Sequence, residues 1–199
     1  MRPDAGLNLR RRSAADALDS RRAGPSGAGA IAFTTFAAYL PVLGAGFIWD
    51  DDVYVTENPL LTAPDGLKRI WFSAHFQSQY FPLVYTVFRW QHALWGFHPA
   101  GYHLVNLLLH IANALLVWVV LRRLALPGAW FAAAIFALHP VQVESVAWVT
   151  ELKNTQSTFF YLAALLAWLE EDVWSGLPPG VRGQAPTRDE QDELLGYDR

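Results

Sequence analysis

Asp50-Asp51-Asp52 is the stretch of this chain best suited to proton chemistry. The three carboxylates follow directly on an uncharged run of 23 residues, Gly27 to Trp49. A run of that length crosses a bilayer core of about 30 Å. The acids then stand at the membrane–water boundary, the depth at which Trp49 and Tyr54 are also at home. Carboxylates at a wet membrane edge are candidates for the general base of a proton-transfer step. An acidic flank that only ends a helix would be written with the same residues. A second polar cluster, His139 with Glu144, is expected on the same outer side, ahead of the turn Glu151-Leu152-Lys153-Asn154.

The elements that must position these groups are apolar. Of 199 residues, 53% are hydrophobic, 14% aromatic and only 17% charged, below the quarter usual for soluble proteins. The class is therefore an all-α, multi-pass membrane protein. Net charge of −3 says little about partners, because the charges are segregated along the chain. No basic patch is interleaved with aromatics, which argues against nucleic acid. The absence of Cys excludes thiol chemistry and disulfides. Arg10-Arg11-Arg12 and Arg21-Arg22 mark residues 1–26 as a polar cytoplasmic segment, without a core of its own. Four spans are expected, near residues 27–49, 101–121, 129–148 and 155–169. A long outer loop, 50–100, separates the first two, and a polar cytoplasmic tail, 171–199, follows the last. Arg122-Arg123 ends the second span on the inner side. In the loop, Asn58-Pro59 and Pro64-Asp65-Gly66 are turn signals. Its density of Trp, Phe and Tyr predicts helices at headgroup depth over Gly66 to Phe72 and Pro82 to Trp95.

Within the second span, His103, Asn106, His110 and Asn113 are spaced by three, four and three. At about 100° per residue they make one polar stripe, which must face protein or a wet cavity. Leu104, Leu108, Ile111 and Leu115 are then expected nearer lipid. The two histidines stand about 10 Å apart along the helix axis, too far to share a metal. No metal or cofactor is expected.

Two motifs resemble a known family. Trp49-Asp50-Asp51-Asp52-Val53-Tyr54-Val55-Thr56-Glu57-Asn58-Pro59 resembles the first outer loop of the TMTC-type membrane O-mannosyltransferases, and of their bacterial tetratricopeptide-repeat relatives above all. His139-Pro140-Val141-Gln142-Val143-Glu144-Ser145-Val146-Ala147-Trp148 is similar to the family's loop after the third span. Tyr80-Phe81-Pro82-Leu83 and the stretch Gly101 to His110 support it, so that the resemblance covers about residues 30 to 170. It implies a GT-C fold, with sugar moved from a polyprenyl-phosphate carrier to a Ser or Thr hydroxyl of a protein acceptor. On that resemblance Asp50 and Asp51 are the acidic pair, one a general base and the other orienting it or the loop. His139, Glu144 and Lys153 would serve the donor head group, and Asp52, Asn58, Tyr80 and Pro82 would support the loop. Many relatives carry Arg where this chain has Phe81 and Leu152, which leaves Lys153 as a point charge for phosphate. Relatives also continue into further spans and repeats. The alternative expectation is thus a truncated or non-catalytic adaptor that packs with other membrane proteins. The expected location is the bacterial cytoplasmic membrane.

Overall fold

The computed structural model describes residues 24–73, 79–173 and 175. The expected segments 1–26 and 171–199 lie almost wholly outside the described residues, as does Phe76. Every regular element among the described residues is helical. Four helices open on proline: α1 (Pro25–Tyr39), α2 (Pro59–Thr62), α4 (Pro82–Trp95) and α5 (Pro99–Arg123). In the first turn a missing N–H has no intrahelical partner to lose, and the ring presets φ. Between α2 and α4 lies α3 (Gly66–Phe72). After α5 come α6 (Ala129–Leu138), α7 (Val143–Ala147) and α8 (Leu152–Trp168).

The first apolar run does not stay helical to Trp49. Pro41 supplies no N–H to the ladder, and α1 gives way to a 3₁₀ turn, Leu40–Gly44. With that turn α1 has 20 residues, and α5 has 25; both are long and apolar enough to cross a membrane. The run expected to cross over 129–148 is broken. His139 takes an extended conformation before Pro140, as residues preceding proline do. The result is a 50° bend between α6 and the segment Pro140–Ala147, one span only if the bent pair crosses together. The expected fourth span corresponds to α8, whose 17 residues rise about 26 Å, short of the bilayer core. The protein is an all-α membrane helix bundle, with two or three helices of crossing length among the described residues.

α5 is the central helix, packed by α1, α6, α7 and α8. Ala129, Ala133 and Ala137 recur every fourth residue on α6 and are buried with Ile31, Ala114 and Trp118. Small residues at that spacing let backbones approach closely. Where the fourth apolar stretch ends, Arg123 at the end of α5 pairs with Glu170.

The polar stripe faces protein. His103, Asn106, His110 and Asn113 are all buried. Asn106 Nδ2 donates to the Trp148 carbonyl at 3.0 Å and Asn113 Nδ2 to the Thr155 carbonyl at 2.8 Å. His110 Nε2 lies 2.9 Å from the Ala137 carbonyl. Leu108 is exposed as expected, but Ile111 is not: it is buried with Tyr39, Leu107 and Val146. A helix wrapped on several sides keeps only a narrow lipid-facing strip. Asn106→Leu is expected to destabilise the bundle by about 0.6 kcal/mol and at most about 2. Unfolding in detergent measures this; an unchanged midpoint would contradict the bond's contribution.

Both helices expected in the outer loop form over the expected residues. They also build a core of their own. Tyr54, Leu61, Ile70, Tyr85 and Phe88 are buried together with Tyr102 of α5 and Val149. The opposite face of α4 leaves Trp90 and Leu94 exposed. Arg89 Nη1 donates to the Leu60 and Leu61 carbonyls at 2.8 and 2.9 Å, tying α4 to the end of α2. Gly66 makes that approach possible, since a Cβ there would lie 2.1 Å from the Leu60 carbonyl oxygen.

Candidate active site

The three adjacent acids have three different surroundings. Asp50 ends a turn entered by Trp49, whose φ of 51° is left-handed. A bulky residue held there stores strain of about 1–3 kcal/mol, a feature concentrated at functional sites. Asp51 then starts a π-helical turn, Asp52–Thr56. Asp51 is fully buried. Its Oδ2 accepts from the Ile48 N–H at 2.9 Å, and its Oδ1 accepts from the Thr150 N–H at 2.9 Å and the Thr150 hydroxyl at 2.5 Å. One carboxylate thus holds the loop after α1 to the turn before α8. Asp50 keeps a different state: its Oδ1 is buried and has no hydrogen-bond partner. Asp52 is exposed and accepts at 3.2 Å from the Thr56 hydroxyl.

The turn that Asp51 grips is a meeting point. The ring of Trp148 takes the edge of Trp49 at 4.7 Å between centroids. The Trp148 carbonyl receives Asn106 from α5. The buried His103 ring lies within electrostatic reach of Asp51. On α4, Tyr85 stacks on Tyr54 with centroids 6.0 Å apart. Burial, then the neighbouring Tyr54 and Asp50 charges, push its hydroxyl up to about 12. A raised tyrosine pKa means that folding favours the neutral form, so stability is held below pH about 10 and lost as pH climbs toward 12. Tyr85→Phe is therefore expected to flatten the alkaline fall of the unfolding midpoint. Superimposable pH curves for the two proteins would contradict this.

The chain is 35% identical over 158 residues to Protein O-mannosyl-transferase Tmtc1 of Drosophila melanogaster, covering 73% of this chain and 18% of that protein. It is 36% identical over 152 residues to Protein O-mannosyl-transferase Tmtc2 of Drosophila melanogaster, covering 70% and 16%. Against Protein O-mannosyl-transferase TMTC2 of Homo sapiens it is 31% identical over 145 residues, covering 67% and 17%. This chain is a relative of the TMTC family. It spans under a fifth of the length of these three curated relatives. No protein-family model and no solved structure matches it.

In this TMTC relative the loop-supporting residues have definite partners. Asn58 caps α2, accepting from the Leu60 N–H at 3.0 Å while its Nδ2 donates to the Tyr54 carbonyl at 3.0 Å. Tyr80 donates its hydroxyl to the Trp71 carbonyl at 3.0 Å, and Pro82 opens α4. The residues assigned to the donor are more dispersed. His139 is exposed, and its Nδ1 accepts from the Val141 N–H at 3.2 Å. It ends an open apolar groove of about 360 Å³ lined by Phe131, Ala134, Ile135, Leu138 and Pro140. Glu144 is exposed on α7. Lys153 is at the joint, paired with Glu151, and its Nζ lies 5.7 Å from the Trp148 ring centroid. Glu151 also accepts from Asn154. Among the described residues no group of three or more His, Cys, Asp or Glu is arranged to hold a metal.

Sequence reasoning missed Thr150, Trp148 and Arg89. Thr150 carried no signal, being one hydroxyl ahead of a polar turn, 99 residues from Asp51. Arg89 did carry one: it is the single cation of α4 apart from His92, and a lone guanidinium among aromatics needs acceptors.

Proposed function

We propose that this chain forms the outer catalytic face of a membrane glycosyltransferase of GT-C type, moving mannose from a polyprenyl-phosphate carrier to Ser or Thr hydroxyls. The observation that carries the reading is Asp50, whose buried Oδ1 is unpartnered beside an Asp51 fully occupied by Thr150 and Ile48. Asp50 is then the base and Asp51 the residue that positions the loop. Asp50 takes the proton of the acceptor hydroxyl as its oxygen attacks the sugar's anomeric carbon. The carbon–oxygen bond to phosphate breaks, and the polyprenyl phosphate leaves with the bonding electrons. The TMTC relationship supports the sugar and the reaction class, and the apolar groove that ends at His139 supports a lipid-linked donor. The protein sits in the bacterial cytoplasmic membrane, with Asp50 to Trp95 on the outer face and Arg122-Arg123 inside.

A second reading, a non-catalytic module that packs with other membrane proteins, is favoured by Lys153. Its ammonium is paired with Glu151, not left for a phosphate. Sugar transfer to a Thr-containing peptide separates the two. Full transfer by an Asp50→Asn/Asp51→Asn double variant would sink the catalytic assignment.

A further inference from the structure

We infer that Trp148 and Asp50 form a hydroxyl-binding subsite, the indole N–H donating to the hydroxyl oxygen and the Asp50 carboxylate accepting the hydroxyl hydrogen. The inference rests on the transferase reading above, and it adds a residue and a ligand group to it.

Trp148 Nε1 is buried and has no hydrogen-bond partner, and the same holds for Asp50 Oδ1. Buried polar groups without partners are uncommon in folded proteins. Trp148 cannot readily turn to find one. Its backbone N–H donates to the Glu144 carbonyl at 3.1 Å, and its carbonyl accepts from Asn106 at 3.0 Å. Trp49 stands edge-on to its ring at 4.7 Å, and Lys153 lies at 5.7 Å. Every group of Trp148 is thus engaged except the indole N–H. Asp50 directly follows Trp49, whose ring packs on that of Trp148. On the α5 side His103 is fully buried with both ring nitrogens unpartnered. The backbone of Ala45 and Gly46 lies beside it.

An unmatched donor and an unmatched acceptor at one joint complement a group that is both. A phosphate offers acceptors and would be repelled by the carboxylates; an ammonium offers donors and would leave the indole unmatched. A hydroxyl satisfies both. It could come from the Ser or Thr of the acceptor or from the sugar.

The test is a titration of the 199-residue chain in lipid nanodiscs, followed through the ¹⁵N–¹H signal of the Trp148 indole. That signal is identified by its loss in Trp148→Phe, or in Trp148→Tyr where Phe does not fold. The ligands are a Thr-containing peptide, the same peptide with Val in place of Thr, and methyl α-mannoside. Movement with the Thr peptide and not its Val counterpart assigns the hydroxyl to the acceptor; movement with the mannoside assigns it to the sugar. A signal that responds to neither hydroxyl ligand, or equally to the Val peptide, overturns the inference. In the transfer assay Trp148→Phe is expected to raise KM for the ligand so identified about threefold to tenfold, with kcat little changed. A responsive indole with a fully active Asp50→Asn would keep the subsite and sink the base. A silent indole with an inactive Asp50→Asn would do the reverse.

Discussion

Asp50→Asn will lower sugar transfer by a factor of about a hundred to ten thousand, the usual effect of losing a general base. Yield and membrane insertion will stay at the level of the unmodified protein. The amide keeps the size and planar shape of the carboxylate but has no oxygen basic enough to take a hydroxyl proton. No hydrogen bond of the described fold ends on Asp50 Oδ1, so none is lost in the exchange. Asp52→Asn should be far milder, because Asp52 is exposed and only receives the Thr56 hydroxyl. The measurement is transfer from polyprenyl-phosphate mannose to a Thr-containing peptide, normalised to protein in the membrane. A non-catalytic module predicts no difference between the two variants. Equal activity for Asp50→Asn and the unmodified protein would remove Asp50 from the chemistry.

Asp51→Leu will act on the fold. Three donors converge on its carboxylate, the N–H groups of Ile48 and Thr150 and the Thr150 hydroxyl. Leucine offers none of them an acceptor in a site closed to water. At about 1–3 kcal/mol for each stranded donor, the loss should reach at least about 3 kcal/mol. For a chain of this size that lowers the unfolding midpoint by about 6–12 °C. Asp51→Asn keeps one acceptor oxygen and should lose less than half as much. Thr150→Val removes a donor from the same group, so combining it with Asp51→Leu should add little further. A midpoint within 2 °C of the unmodified protein, by about the same scale, would show that the loop is held by something else. The two acids are then separable: one variant loses turnover with its fold intact, the other loses its fold.

Much of this architecture is written locally. Prolines at 25, 59, 82 and 99 start helices wherever they stand, because a first turn has no bond for the ring to break. A three-four-three spacing puts His103, Asn106, His110 and Asn113 on one side of any helix, and apolar surroundings leave that side no choice but protein. The kink at His139-Pro140 and the end of α1 at Pro41 are equally local. What the chain alone leaves open is which of two identical neighbours does which task. Asp50 and Asp51 share a side chain and are adjacent, and no pattern of spacing tells them apart. Only folding brings Thr150, 99 residues on, to one of them. A carboxylate that meets three donors becomes a fixed part of the frame. The one beside it has a buried oxygen that meets none, and in the proposed mechanism that is the oxygen that takes the proton.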